Sequence, residues 1–184
     1  MGPDGHTVAA AGNQFNAKTW ETASGRELVR LPHSDTVQAL AFSPDGRTIA
    51  TAGNESAAHL WDAASGREVG RIAIESASDA YALAFSPDSR QLAVVSDDNR
   101  VSTWEATKPW QVTGLQHDGL VNNATFSPDG RYLATVVLMA RFASGTRPLA
   151  NCAAAGIRVA RPIPYASPPT ASIWRQGAMT ATPT

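Results

Sequence analysis

The stretch Ser43–Asn54, SPDGRTIATAGN, has three further copies along the 184-residue chain. They begin at Gly2 (GPDGHTVAAAGN), Ser86 (SPDSRQLAVVSDD) and Ser127 (SPDGRYLATVV). Spacings of 41, 43 and 41 residues separate their prolines, Pro3, Pro44, Pro87 and Pro128. Spacings of 41 and 43 residues likewise separate three tryptophans, Trp20, Trp61 and Trp104. Two independent markers with one period indicate an internal repeat.

Each period has the pattern of four short strands. VQALAFSP and YALAFSP are apolar runs typical of a strand buried on both faces. Ser-Pro-Asp-Gly then predicts a tight turn, because Pro fixes φ and Gly accepts a positive φ. TIATAG and QLAVVS follow as second strands, AAHLWD and VSTWEA as third strands, and Ser-Gly-Arg-Glu turns into a fourth. Four antiparallel strands in every 41 to 43 residues predict an all-β chain of propeller blades.

This order of motifs resembles the WD40 repeat, in particular the bacterial form with its SPDGR and WDAASGRE segments, over about residues 2–137. The resemblance implies a β-propeller that binds other proteins as a scaffold or sensor. It also raises an alternative, in which the propeller regulates a multidomain enzyme, such as a kinase or an ATPase, whose catalytic part lies elsewhere.

The resemblance further implies a buried tetrad of hydrogen-bonded side chains with a structural role. The matching positions in the second repeat are His33, Thr51, Glu55 and Trp61, with Glu in place of the usual Asp. The third repeat has Ser76, Val94, Asp98 and Trp104, which supply half of the network. The first and fourth repeats retain Trp20 and His117, respectively. We expect the longer Glu and the missing His to leave polar groups that need other partners, and the blades to depend more on apolar packing.

Strand counting predicts an incomplete propeller over residues 1–137. It consists of a partial blade at 6–33, full blades at 37–74 and 81–117, and half a blade at 121–137. Three and a half blades do not close a ring, because closed propellers have roughly 4 to 8 blades. We therefore expect a fragment of a larger propeller, with open blade edges that favour self-association.

The repeat breaks off after Thr135, and residues 138–184 form a tail rich in Ala, Pro and Arg. Shifting the reading frame by one base at this point admits the expected repeat, with a Trp ten residues after Thr135. The tail is therefore predicted to be disordered and to be out-of-frame translation. A second alternative follows, in which the chain is the non-functional product of a frameshifted gene.

The charges are unevenly distributed, although the formal net charge is only -1. All 16 acidic residues precede Gly130, and six arginines follow it. These arginines lack the aromatic platform or lysine cluster of a nucleic-acid site, so no nucleic-acid partner is predicted. No apolar run approaches the roughly 18 residues of a membrane span, and no signal peptide is apparent. The sequence thus predicts a cytoplasmic chain with a protein partner.

Catalytic and metal-binding motifs are not recognised in the sequence. The histidines are His6, His33, His59 and His117, and none lies three to five residues from another His or Cys, as zinc sites commonly require. His59 lies in a third strand and faces either solvent or a neighbouring blade. Cys152 is the single cysteine. With neither a nucleophile elbow nor a phosphate loop, we expect no enzyme activity, cofactor or metal.

Overall fold

The computed structural model describes residues 1–12, 15–74, 78–106, 111–139 and 154–160. Its described residues form fourteen strands in four antiparallel sheets. This confirms the predicted all-β class and the four-stranded antiparallel blade. In the part of the chain that the structure describes, no helix is long and apolar enough to cross a membrane.

The sheets follow one another along the chain. The first contains β1 (Thr7–Gly12), β2 (Asn16–Glu21) and β3 (Glu27–Pro32). The second contains β4 (Val37–Phe42), β5 (Thr48–Gly53), β6 (Ala57–Asp62) and β7 (Glu68–Ala73). The third contains β8 (Ala80–Phe85), β9 (Gln91–Ser96), β10 (Arg100–Glu105) and β11 (Gln111–Gln116). The fourth contains β12 (Leu120–Phe126), β13 (Leu133–Met139) and β14 (Ala154–Ala160).

The repeated Ser-Pro-Asp segment forms the turn between the first two strands of a full sheet. In the second sheet, the Ser43 hydroxyl donates to Asp45 Oδ1 at 2.6 Å and accepts the Thr48 backbone N–H at 2.9 Å. Gly46 has a φ of 72°, the left-handed conformation that Gly adopts without steric cost. The third sheet has Ser89 at this place, with a φ of 62°. The same turn chemistry therefore closes the hairpin in both sheets.

The sheets pack face to face through three apolar layers. The first and second sheets share a layer built around Ala17, Leu31, Ile49 and Trp61. The second and third share Ala50, Leu60, Ile72, Leu92 and Val94, among others. The third and fourth share Val95, Val101, Val121, Leu133 and Val137, among others. Because these layers join sheets that are neighbours in the chain, the described residues form a sequential stack, as the repeat predicts.

The loop before β4 lies tightly against the end of β5. The Asn54 backbone N–H donates to the Thr36 carbonyl at 3.1 Å. A Cβ atom at Gly53 would lie only 1.9 Å from that carbonyl oxygen. Glycine at position 53 therefore permits the contact that brings His33 over the second sheet.

The fourth sheet differs from the half blade of two strands that the sequence predicts. β14 pairs antiparallel with β13, from Leu133 opposite Ala160 to Met139 opposite Ala154. The predicted two-strand count is thus corrected to three, because the free edge of β13 offers backbone donors and acceptors to another strand. The predictions of a disordered, out-of-frame tail otherwise fall on residues 140–153 and 161–184, which lie outside the described residues.

Candidate functional site

A buried polar network lies on the face of the second sheet that packs against the first sheet. His33 precedes β4, Thr51 lies on β5 and Trp61 lies on β6. The Trp61 Nε1–H donates to Thr51 Oγ1 at 2.7 Å, and Thr51 Oγ1 lies 3.0 Å from His33 Nε2. Thr51 is fully buried, so this hydroxyl joins two groups that water does not reach.

Glu55 completes the network from the turn between β5 and β6. Its Oε1 lies 3.2 Å from His33 Nδ1 and accepts the backbone N–H of Asp35 at 3.1 Å and that of Ser34. The longer Glu thus has partners besides His33, namely the backbone N–H groups of Ser34 and Asp35. The extra methylene of Glu55 places its carboxylate against the backbone of the loop before β4, where two N–H groups donate hydrogen bonds to it.

His59 is a member of this network that the sequence analysis did not assign. Its Nε2 lies 2.9 Å from Glu55 Oε2, and its Nδ1 lies 2.8 Å from Glu68 Oε1. The ring stacks on Trp61 with centroids 5.7 Å apart. The two orientations left open, toward solvent or toward a neighbouring blade, are resolved in favour of burial. The strand register indicates that His59 belongs to the network, because Thr51 and His59 are cross-strand partners and their side chains share one face of the sheet.

The environment lowers the pKa of both His33 and Glu55, which favours the neutral form of the imidazole and the ionised form of the carboxylate. Burial lowers the pKa of His33 below its ordinary value and so favours the neutral imidazole, although Glu55 opposes this effect. Burial acts to raise the pKa of Glu55, but the N–H groups of Asp35 and Ser34 and the two imidazoles hold it below its ordinary value. The site thus combines an ionised carboxylate with nitrogen donors. Potential ligand atoms of His33, Glu55 and His59 lie within 4.8 Å of one another.

The third sheet has different residues and hydrogen bonds at the positions that correspond to this network. Val94 stands where the second sheet has Thr51, and the Trp104 Nε1–H donates instead to Ser102 Oγ at 2.8 Å. Asp98 accepts the Ser96 hydroxyl at 2.6 Å. Ser76, the predicted counterpart of His33, lies outside the described residues. Ser102 occupies the place of His59, and a cavity of about 160 Å³ opens beside Asp98, Ser102 and Trp104.

The first and fourth sheets each retain part of the pattern. Trp20 lies on β2 beside a groove of about 260 Å³, in which Ala10 stands at the position of Thr51. In the fourth sheet, His117 and Thr135 are both buried at positions that correspond to His33 and Thr51. The structure therefore brings together the predicted residues of the second sheet and leaves the others as partial sets.

One end of the sheet stack carries a row of carboxylates, here named the acidic rim. It consists of Asp35, Asp79, Asp97, Asp98 and Asp118. The described loops at this end contain neither Lys nor Arg; they are residues 33–36, 54–56, 78–79, 97–99 and 117–119. Burial, together with the charges of Asp97 and Asp98, raises the pKa of Tyr81, as expected near a negative potential.

Comparisons with known proteins agree with this architecture. The family model for the WD domain, G-beta repeat, matches residues 25–62, 72–105 and 110–138, more than half of the chain. A search of curated proteins found no significant match. The period, the four-stranded sheets and the His-Thr-Trp network are the features that this family's repeat combines. The chain belongs to the WD40 repeat family.

Proposed function

We propose that this WD40 chain is a non-catalytic scaffold or sensor module that binds a protein partner at its acidic rim. WD40 repeats generally serve as protein-interaction modules, and their domains are typically non-catalytic. The network around Thr51 supports a structural role, because its polar groups are engaged with one another inside the sheet stack.

The observation that carries the proposal is the clustering of carboxylates on loops at one end of the stack. Asp97 and Asp118 are exposed and come from separate loops. Charge complementarity of this kind mainly accelerates association and selects the partner. The partner is therefore a protein that presents Lys or Arg side chains to the rim. The same negative potential opposes nucleic-acid phosphates.

Location and self-association complete the proposal. We place the module in the cytoplasm. Self-association through the outer edges of the sheets is a second mode of contact, because an edge strand presents unpaired backbone groups. The two alternatives, a regulatory propeller of a kinase or ATPase and a frameshift product without function, stay predictions, and no observation favours either one.

The test is a matched pair of charge variants. Asp97→Asn/Asp118→Asn removes two charges from the acidic rim. Ala23→Lys/Ala64→Lys changes the net charge by the same amount at exposed turn positions on the opposite end. The tagged chain is used to capture partners, which are mapped by cross-linking mass spectrometry, and the affinity of the purified partner is then measured at two salt concentrations.

We expect the rim variant, which loses two charges, to bind about 2- to 30-fold more weakly, because exposed ion pairs each contribute about 0.2–1 kcal/mol. The difference should shrink at high salt, and the control variant should bind like the unmodified chain. Equal binding by both variants would refute the rim as the contact surface. Failure of the chain to retain any protein would refute the module itself.

A further inference from the structure

His59 lies between the carboxylates of Glu68 and Glu55. Its Nδ1 lies 2.8 Å from Glu68 Oε1 and its Nε2 lies 2.9 Å from Glu55 Oε2. A neutral imidazole carries a single N–H, so it donates to only one of the two. The other nitrogen then directs its lone pair at a carboxylate oxygen, which is repulsive. A metal ion at that nitrogen relieves the repulsion.

His33 also has a contact at each of its two ring nitrogens. Its Nε2 lies 3.0 Å from Thr51 Oγ1, and this contact directs Nδ1 toward Glu55 Oε1, 3.2 Å away. Each imidazole therefore has an outer partner on one nitrogen and faces the same carboxylate with the other. An outer hydrogen bond that orients the ring is the usual support of a metal-binding histidine.

We propose that His33 Nδ1, His59 Nε2 and the Glu55 carboxylate form a zinc-binding site, with Glu68 and Thr51 as outer partners. The candidate ligand atoms lie within 4.8 Å of one another. Two His and one Glu, completed by a water molecule, are a ligand set that zinc uses in proteins. In a tetrahedral site with bonds of about 2.0–2.1 Å, ligand atoms are about 3.3 Å apart.

The separations between these nitrogens and the nearer oxygen of Glu55 are 2.9 and 3.2 Å, close to that spacing, and all the ligand separations lie within 4.8 Å. The position is also enclosed, since the side chains of His33, Glu55 and His59 are 2%, 6% and 8% exposed. Charge balance adds a third argument, because a divalent cation offsets the carboxylates of Glu55 and Glu68. The spacing of His and Cys residues in the sequence did not indicate this site, because His33 lies in a loop 26 residues before His59.

The experiment measures zinc binding to the full chain, in a Cys152→Ser background so that the thiol does not contribute. The protein is freed of metal with a chelator, titrated with Zn²⁺ against a competing zinc dye, and loaded with Co²⁺ for visible spectroscopy. We expect one equivalent of Zn²⁺ and the intense absorption of four-coordinate Co²⁺. X-ray absorption at the zinc edge should show two imidazole ligands.

His59→Ser is the informative variant, because the third sheet already carries Ser102 at the corresponding position. It should lower the zinc affinity about 100-fold or more. Glu68→Gln keeps all three ligands and should weaken binding about 10- to 100-fold, as loss of an outer partner does. His6→Gln, at an exposed histidine, is the control and should bind like the parent.

Zinc binding that is unchanged in both His59→Ser and Glu68→Gln would overturn the proposal. So would the absence of stoichiometric zinc from the parent chain. If His59→Ser fails to fold, Glu68→Gln and the X-ray absorption of the parent still decide the question.

Discussion

Replacing Thr51 by Val tests whether the polar network stabilises the second sheet. The two side chains have nearly the same shape, so the change removes the hydroxyl and leaves the packing in place. Trp61 Nε1–H then loses its acceptor and His33 Nε2 loses its partner, at contacts of 2.7 and 3.0 Å. Both contacts are inside the stack, where water does not replace them.

The expected loss of stability follows from these two groups. A buried polar group without a partner costs about 1–3 kcal/mol, and the added methyl group returns about 0.8 kcal/mol through apolar burial. The free energy of unfolding should therefore fall by about 3 kcal/mol. For a chain of this size, the midpoint of thermal unfolding should fall by roughly 6–12 °C.

A double variant makes the prediction specific to the hydrogen bonds. In the third sheet, Val94 occupies the threonine position and Trp104 donates to Ser102 instead. Combining Thr51→Val with His59→Ser copies that arrangement into the second sheet. The introduced serine should accept the Trp61 N–H, so the double variant should be more stable than the sum of the single losses by about 1 kcal/mol.

The assay is urea unfolding followed by tryptophan fluorescence and circular dichroism, with a chelator present so that metal binding does not contribute. The slope against urea should remain unchanged while the midpoint falls. A loss below about 0.5 kcal/mol for Thr51→Val would refute the reasoning, and strict additivity in the double variant would refute the proposed exchange of acceptors.

Three further predictions use single residues. Gly53→Ala should destabilise the chain by about 2 kcal/mol or more in urea unfolding, because its Cβ would meet the Thr36 carbonyl oxygen at 1.9 Å. Gly12→Ala, at the equivalent place in the first sheet, meets nothing within 4 Å and should stay within about 0.5 kcal/mol; equal losses would refute the steric reason. Ser56→Gly should stabilise the chain by up to about 1 kcal/mol, since Ser56 has a φ of 52°, and a loss of stability in thermal unfolding would contradict this. A hydrogen bond from a neighbouring serine hydroxyl lowers the pKa of Asp45 below 3.8, so its contribution is complete above that pH and is lost as the pH falls through the lowered value; Asp45→Asn should flatten this acid limb in unfolding measured between pH 2 and 6, and an unchanged limb would count against it.

Local sequence patterns predicted much of the fold for a physical reason. Turn formation at Ser43–Gly46 depends on contacts within a few residues, and alternating or apolar runs specify strands without knowledge of their neighbours. The repeat spacing then indicated the four-stranded sheets. β14 was not predicted, because a strand that pairs across a long connection leaves no mark in the local pattern.

Local sequence patterns predicted only part of the candidate site. The family pattern supplied His33, Thr51, Glu55 and Trp61, and the structure joins these side chains. His59 was left without an assignment, because a residue in a third strand shows its face only when the register is known. The acidic rim likewise becomes visible only when loops from different sheets are placed at one end.

By itself, the sequence determined the period, the strands, the turns and the family, since each depends on residues close together in the chain. The tertiary structure alone decided that His59 stands between Glu55 and Glu68 and that His33 approaches from the loop before β4. That convergence depends on strand register and on the close passage of a loop over Gly53. Local residue preferences do not encode either one, because both arise from the packing of one segment on another.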